Sequence, residues 1–223
     1  MNTYEYIFFD LDGTLTDSGL GIMNGFAYAI EKTGSKVPDS AELRQFVGPP
    51  LKESFERKLG YSPEDSERAI AFYREYYNEM GGRFQNSVYP GVKEMLAGLK
   101  AAGKKLIVAT SKGVHGTQIV LEHFGLHSYF DFVAAANDAD RQSKTDVLRY
   151  AVKMCGIGDI RKAVMVGDRE NDMTAAKDLG MDSIGVLYGY GDRRELTDAG
   201  AVLLAASAEE VGNLILAGRD NSQ

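Results

Sequence analysis

Five short apolar runs alternate along the chain with longer stretches in which apolar residues recur at helical spacing. The runs, each bounded by Asp, Gly, Lys or Thr, are Tyr4–Phe9, Leu106–Ala109, Phe132–Ala136, Ala163–Val166 and Ser183–Leu187. Because they are continuous and not alternating, they are typical of strands that are covered on both faces. The alternation of such strands with helices predicts an α/β fold, in which a Rossmann-like parallel sheet is sandwiched by helices.

A long stretch without any strand signal interrupts this alternation after the first run. Its apolar residues follow helical spacing, and turn-forming Gly and Pro residues separate four segments. The predicted helices cover Gly19–Thr33, Ser40–Phe46, Leu51–Leu59 and Pro63–Met80. We therefore expect a small all-helical cap domain over residues 18–84, inserted into an α/β core domain formed by residues 1–17 and 85–223.

Composition and charge narrow the class of protein further. Of the 223 residues 44% are hydrophobic, and 32 Asp and Glu against 25 Lys and Arg give a formal net charge of −7. Nucleic-acid polymers and anionic membranes both require a concentrated basic face, so we expect neither as a partner. The single cysteine, Cys155, cannot form an internal disulfide. We also expect neither a secretory leader nor a membrane span, and hence a cytoplasmic protein that is a monomer or a homodimer.

Four aspartates follow two of the predicted strands. Asp10 and Asp12 come directly after the first run, and Asp168 and Asp172 follow the run Ala163–Val166. A single aspartate after a strand is commonly a helix cap. Two pairs at two strand ends indicate a site instead, because ligands bind beyond the carboxyl ends of parallel strands.

Crowding of these carboxylates requires a cation or bound protons. Two unit charges ~4 Å apart repel by about 4 kcal/mol at an effective dielectric constant of about 20. Every candidate ligand is an oxygen, and neither Cys nor His accompanies the four aspartates. Oxygen ligands select a hard divalent ion, and the sequence therefore predicts Mg²⁺ at this edge of the sheet.

Two further features of the chain suit a phosphate group. Thr110 and Ser111 follow the run Leu106–Ala109 and offer hydroxyl and backbone N–H groups to anionic oxygens. Lys144, in the loop after Phe132–Ala136, offers a positive charge that balances phosphate and carboxylate groups. Taken alone, Lys144 would be interpreted as a solvated surface lysine, and its position beyond a strand end makes it a candidate.

The chain resembles the haloacid dehalogenase-like phosphohydrolases over nearly its whole length. The segment Asp10-Leu11-Asp12-Gly13-Thr14-Leu15-Thr16-Asp17-Ser18 is similar to the first motif of that family. Thr110 is similar to the hydroxyl residue of the second motif, and Lys144 to the lysine of the third. Gly167-Asp168 with Asp172 is similar to the fourth motif, and the helical insertion resembles the small mobile cap of the family.

The resemblance implies a role for each of these residues. Asp10 would be the nucleophile that forms an aspartyl-phosphate, and Asp12 would be the general acid for the leaving oxygen and then the base for water. Thr110 and Lys144 would hold phosphate oxygens. The Mg²⁺ ligands would be Asp10, the backbone carbonyl of Asp12, Asp168 and Asp172, the last directly or through water.

An acid at Asp12 indicates phosphate-ester chemistry, because dehalogenases and phosphonate-cleaving relatives generally lack it. The resemblance therefore implies a Mg²⁺-dependent phosphatase acting on a small phosphomonoester, such as phosphoglycolate, a sugar phosphate or a nucleoside monophosphate. Two alternatives stay open. A phosphomutase of the β-phosphoglucomutase type uses the same acids, and a non-catalytic binding module could retain the fold.

Two strings resemble a subgroup labelled 5′-nucleotidase or phosphoglycolate phosphatase-like: Phe46-Val47-Gly48-Pro49-Pro50-Leu51 and Tyr188-Gly189-Tyr190-Gly191. By contrast, Thr110-Ser111-Lys112 and Lys144-Thr145 depart from the Thr-Asn-Lys and Lys-Pro of many phosphoglycolate phosphatases. The substrate contacts that we expect are Gly13, Ser111, Arg44 and Gly48. For Arg44 and Gly48 the alternative, an interhelical turn with solvated charges, stays open.

Overall fold

Eight strands are present in the computed structural model, which describes residues 4–137 and 139–218. They are β1 (Tyr6–Phe9), β2 (Thr16–Asp17), β3 (Ser87–Val88), β4 (Lys105–Gly113), β5 (Phe132–Ala136), β6 (Ala163–Gly167), β7 (Asp182–Val186) and β8 (Leu203–Ala205). Six of them form one parallel sheet in the order β5-β4-β1-β6-β7-β8. The other two, β2 and β3, pair antiparallel in a short separate ladder.

Ten α-helices connect or cover these strands in the described part of the chain. They are α1 (Gly19–Lys32), α2 (Ser40–Arg44), α3 (Leu51–Glu53), α4 (Pro63–Arg74), α5 (Val92–Ala101), α6 (Val114–His123), α7 (Lys144–Met154), α8 (Glu170–Leu179), α9 (Arg193–Asp198) and α10 (Ala208–Ala217). None of the described helices combines the length and the apolar composition that crossing a bilayer requires.

Both faces of the sheet are buried, which is the reason for the continuous apolar runs. Along β1, Ile7 and Phe9 belong to the hydrophobic cluster on one face, and Phe8 belongs to the cluster on the other. Apolar residues of α5, α6 and α10 complete the first cluster. Residues of α7 and α8 complete the second. The prediction of an α/β fold with a parallel sheet between helices is confirmed.

A third hydrophobic cluster lies among the helices between β2 and β3. Its centre is Phe26, whose ring centroid is 4.9 to 5.2 Å from those of Phe46, Phe55 and Tyr73. The four predicted helices of this segment are present. All of the regular secondary structure between β2 and β3 is helical. The division of the chain into two domains at residues 18 and 84 stays a prediction.

Several predicted elements differ from the structure in their bounds; β1, for example, begins at Tyr6 and not at Tyr4. β4 continues beyond Ala109 to Gly113, and its register with β5 shifts between Thr110 and Gly113. The helices predicted over Leu51–Leu59 and Pro63–Met80 each end in a π-helical turn, at Ser54–Lys58 and Glu75–Glu79. The strand β8 was not predicted, because a three-residue edge strand has too few positions to show a pattern.

Candidate active site

Three adjacent strands bring the candidate residues together at the carboxyl ends of the strands. β1 lies between β4 and β6, and Phe9 is opposite both Val108 and Val166. The backbone N–H of Asp10 donates to Val166 O at 2.9 Å, so this aspartate is held at the end of the ladder. Polar side chains that follow these strands are therefore neighbours, although they are far apart in the sequence.

Three aspartates form a buried cluster at this edge. Carboxylate oxygens of Asp10, Asp168 and Asp172 lie within 4.8 Å of one another. Asp168 accepts hydrogen bonds from Thr14 Oγ1 at 3.2 Å and from the N–H of Tyr190 at 2.9 Å. Asp172 lies in the first turn of α8, where Oδ2 accepts from the N–H of Arg169 at 3.2 Å. Local hydrogen bonds thus orient two of the three carboxylates.

Lys144 places one positive charge against this cluster. Its ammonium is 2.7 Å from Asp10 Oδ1 and 2.8 Å from Asp172 Oδ1, and it donates to Ala109 O at 3.0 Å. Lys144 is the first residue of α7, and a capping box formed by Ser143 and Asp146 starts this helix. The side chain is 5% exposed and is therefore not a solvated surface lysine.

The pKa values of these groups reflect burial and mutual repulsion. Burial raises the pKa of Asp10 from 3.8 to about 6, Lys144 opposes this rise, and Asp172 adds to it. The pKa of Asp168 is raised well above its ordinary value, first by burial and then by Asp172 and Asp10. Burial alone would lower the pKa of Lys144, but Asp10 and Asp172 raise it above its ordinary value.

This donor set fits a divalent cation. Three buried carboxylates face one ammonium, so the cluster carries an excess of negative charge when all three are ionised. The ligand atoms are all oxygens, as a hard ion prefers. Asp10, Asp168 and Asp172 are the side chains that would hold Mg²⁺, and the ion would neutralise negative charge that develops on a bound phosphate.

Asp12 lies beside this cluster but has its own partner. Its Oδ2 accepts a hydrogen bond from Lys112 Nζ at 2.9 Å, whereas its Oδ1 is buried and has no hydrogen-bond partner. Lys112 also donates to the hydroxyl of Tyr77 at 2.8 Å. The side chain of Asp12 thus pairs with Lys112 and is not one of the three carboxylates of the acidic cluster.

Gly13 lies against Asp168 in a conformation that other residues rarely adopt. Its φ is +88°, and a Cβ atom added there would lie 2.2 Å from Asp168 Oδ2. The backbone at Gly13 thus closely approaches a carboxylate of the cluster. Whether Gly13 also contacts a substrate stays a prediction.

A cleft of about 1060 Å³ opens beside Asp12, between the helical segment and the sheet edge. Gly48, Tyr73 and Tyr77 line it from the helical side, and Ser111 and Lys112 line it from the end of β4. Two of the expected substrate contacts, Ser111 and Gly48, are thus at the cleft. Thr110 is buried, and its Oγ1 accepts a hydrogen bond from the N–H of Lys112 at 3.2 Å.

Arg44 has partners outside this cleft. Its guanidinium donates to Gly189 O at 3.0 Å and lies 5.0 Å from the ring centroid of Tyr190. These contacts join α2 to the loop after β7. Whether Arg44 also contacts a substrate stays a prediction.

Sequence reasoning missed several polar residues that support the site. Thr14 lies in the first motif and had no predicted role, although its hydroxyl orients Asp168. Arg169 donates to Val47 O and, at 2.7 Å, to Glu195 Oε1. Tyr77 carries no signal in the sequence beyond its helical spacing. For Lys112, the one sequence feature that indicates a place in the site is its position two residues after Thr110 of the second motif.

The family model for haloacid dehalogenase-like hydrolases matches residues 7–186 of the chain. This range begins in β1 and ends with β7, and thus contains every residue of the acidic cluster. The chain belongs to the haloacid dehalogenase-like hydrolases.

Curated relatives match most of the chain. Tyrosine-protein kinase PtkA of Mycobacterium tuberculosis is 38% identical over 214 residues, which are 93% of this chain and 71% of that protein. A 5′-nucleotidase of Pseudomonas aeruginosa is 36% identical over 86% of this chain and 87% of its own. A phosphoglycolate phosphatase of Neisseria meningitidis is 32% identical, over 84% and 82% respectively.

A solved structure agrees with these likenesses. The crystal structure of a predicted phosphatase from Clostridium acetobutylicum has a TM-score of 0.92 and 42% identity, over 96% of this chain and 99% of that chain. The predictions of the family, of its phosphoglycolate phosphatase and 5′-nucleotidase-like members as relatives, and of a phosphoric monoester hydrolase are confirmed.

Proposed function

We propose that this phosphatase is Mg²⁺-dependent and hydrolyses a small phosphomonoester through an aspartyl-phosphate on Asp10. The observation that carries the proposal is the cluster in which oxygens of Asp10, Asp168 and Asp172 lie within 4.8 Å of one another. The cleft that Asp12 lines supplies room for a phosphate ester. The ammonium of Lys144, which contacts Asp10, supplies positive charge at the cluster.

In the first half-reaction a carboxylate oxygen of Asp10 attacks phosphorus, and the bond from phosphorus to the ester oxygen breaks. Asp12 gives its proton to the departing oxygen, so that an alcohol leaves and not an alkoxide. Lys144 and Thr110 hold phosphate oxygens during this transfer. The product of this step is an acyl phosphate on Asp10. Such a covalent intermediate divides one difficult displacement into two easier ones.

In the second half-reaction Asp12, now a carboxylate, removes a proton from water. The water oxygen attacks phosphorus, the bond to Asp10 breaks, and inorganic phosphate is released. Asp12 then carries the proton again, so the cycle balances. Mg²⁺, when bound, lowers the repulsion between the phosphate oxygens and the carboxylates of the cluster.

The cleft has room for a small phosphate ester. Its volume of about 1060 Å³ accommodates phosphoglycolate, a sugar phosphate or a nucleoside monophosphate. The names of the relatives agree with this range, since one is a 5′-nucleotidase and another a phosphoglycolate phosphatase. A cytoplasmic protein that is a monomer or a homodimer stays a prediction from the sequence.

The acceptor of the phosphoryl group distinguishes this proposal from its competitors. Water accepts it in a phosphatase, a sugar phosphate hydroxyl in a phosphomutase, and a tyrosine hydroxyl in a kinase, the activity that the name of one relative states. A non-catalytic module would transfer it to none of them. The three readouts are inorganic phosphate, isomerised sugar phosphate and labelled tyrosine peptide.

The experiment is an activity panel on the purified protein with Mg²⁺ or with EDTA. We expect release of inorganic phosphate from at least one phosphomonoester with Mg²⁺ and none with EDTA. We also expect hydroxylamine to react with the acyl phosphate on the acid-precipitated protein. The variant Asp10→Asn should give neither product. Phosphoryl transfer from ATP to a tyrosine peptide, or isomerisation that needs a bisphosphate activator, without net phosphate release would contradict the proposal.

A further inference from the structure

The ammonium of Lys112 joins Asp12 to a tyrosine of the helical segment. It is 2.9 Å from Asp12 Oδ2 and 2.8 Å from the hydroxyl of Tyr77, and it lies 4.7 Å from the ring centroid of that tyrosine. The side chain of Lys112 is 9% exposed and that of Asp12 is 12% exposed. These three residues form a chain of charged and polar groups that is nearly closed to water.

Lys112 and Tyr77 both lie at irregularities of the backbone. Lys112 lies where the register between β4 and β5 shifts, and its N–H donates to Thr110 Oγ1. Tyr77 lies in the π-helical turn Glu75–Glu79 at the end of α4. Such turns change the direction of the side chains that they carry, and they occur frequently at functional sites. Tyr77 is further held by stacking on Tyr73, at 5.4 Å between centroids.

The ion pair leaves only one oxygen of Asp12 for a substrate. Oδ2 accepts from Lys112, whereas Oδ1 is buried without a hydrogen-bond partner, and Asp12 lines the cleft. An ammonium has only donors, so a proton on this carboxyl cannot lie between Oδ2 and Lys112. The proton is therefore on Oδ1 when Asp12 acts as an acid.

We propose that Lys112 is a positioning residue, which orients Asp12 so that Oδ1 delivers the proton to the departing ester oxygen, and that Tyr77 orients Lys112. This inference rests on the proposed function, because it assigns a partner to the acid of that reaction. The ester bond breaks between phosphorus and oxygen, and the proton moves from Oδ1 to that oxygen. Lys112 itself neither gains nor loses a proton.

The test compares two esters that differ in their need for an acid. An alkyl phosphate requires protonation of the departing oxygen, whereas 4-nitrophenyl phosphate leaves as a stable anion. Since kcat/KM reports the first phosphoryl transfer, it isolates this step from hydrolysis of the acyl phosphate. We expect Lys112→Met to lower kcat/KM about 10- to 100-fold for the alkyl ester and less than about threefold for 4-nitrophenyl phosphate.

Tyr77→Phe keeps the ring and removes only the hydroxyl, so it should show the same preference with a smaller loss. If Tyr77 acts through Lys112, the double variant should match Lys112→Met alone instead of adding the two losses. Matched controls are Lys105→Met on the same strand, whose ammonium pairs with Asp131 at 3.2 Å, and Tyr76→Phe, whose hydroxyl contacts Gln85. Both controls should retain wild-type ester preference.

Equal losses for the two esters, additive losses in the double variant, or a change in KM alone would overturn the inference. Should Lys112→Met lose its circular dichroism spectrum, the same comparison with Tyr77→Phe decides, because that variant leaves the ion pair to Asp12 in place. A wild-type protein that releases phosphate from neither ester would contradict the proposed function instead, so the two failures are distinguishable.

Discussion

Lys144 and Asp10 face each other at 2.7 Å, with side chains that are only 5% and 7% exposed. The same ammonium contacts Asp172 at 2.8 Å, so one cation serves two buried carboxylates. A third carboxylate, that of Asp168, completes the cluster and accepts hydrogen bonds from two neutral donors, Thr14 Oγ1 and the N–H of Tyr190. Three carboxylates against one ammonium leave an excess of negative charge, which is the physical reason to expect a cation at this cluster.

Lys144→Met should abolish phosphate release and destabilise the protein. The substitution leaves Asp10 and Asp172 buried without a cation, and breaking a buried ion pair costs about 3–5 kcal/mol. Urea unfolding followed by circular dichroism measures the free energy of unfolding. Lys105→Met, which breaks an exposed pair to Asp131, is the control and should change it by less than about 1 kcal/mol. A fully active Lys144→Met variant would remove the role assigned to this lysine.

Asp10→Asn should release no phosphate while the fold stays intact. The amide is a poor nucleophile, and it also weakens one ligand of the cation cluster. Circular dichroism should match the wild type, and phosphate release should fall to the background of the assay. Asp159→Asn is a suitable control, because that aspartate lies before β6, at the opposite end of the strand from Asp168. Near-normal turnover by Asp10→Asn would refute the assignment of the nucleophile.

Stabilisation by Mg²⁺ should increase with pH. The pKa of Asp10 is raised from 3.8 to about 6 in the folded protein, so the folded state binds its proton more tightly than the unfolded chain does. The contribution of Asp10 to stability is therefore present below 3.8 and is lost as the pH rises through about 6. Mg²⁺ competes with this proton and should raise the melting temperature more above this window than below it.

Thermal unfolding by circular dichroism, in Mg²⁺ and in EDTA, checks this expectation. Other carboxylates also titrate, so the informative quantity is the difference between the wild type and Asp10→Asn at each pH. That difference should vary between pH 3.8 and about 6 in EDTA. A shift by Mg²⁺ of equal size at every pH would contradict the expectation.

Gly13→Ala should lower both stability and activity. The added Cβ would lie 2.2 Å from Asp168 Oδ2, and the φ of +88° is itself unfavourable for alanine. Gly103→Ala separates these two causes, since Gly103 has a φ of +77° with nothing within 4 Å of an added Cβ. The control should show the backbone cost of about 1 kcal/mol alone, with unchanged activity. Equal effects of the two substitutions would show that the contact with Asp168 is unimportant.

Much of the fold could be predicted because its signals are local. The runs that became β1, β5, β6 and β7 lie in a sheet that helices cover on both faces, so each run is mainly apolar. The strand β8 has only three residues at the edge of the sheet, and it left no comparable signal. The π-helical turns were missed because one extra residue in a turn does not change the apolar pattern visibly.

The sequence by itself determined where the aspartates stand: Asp10 directly after one buried strand and Asp168 after another, at the edge where parallel strands end. The periodicity of apolar residues and the local composition depend only on residues that are near one another in the sequence, so they can be analysed without the structure. Only the tertiary structure decided that Lys112 pairs with Asp12, that Tyr77 reaches Lys112, and that Arg44 lies on Tyr190. These contacts join distant segments and depend on packing, backbone irregularity and side-chain rotamers, which leave no regular pattern in the chain.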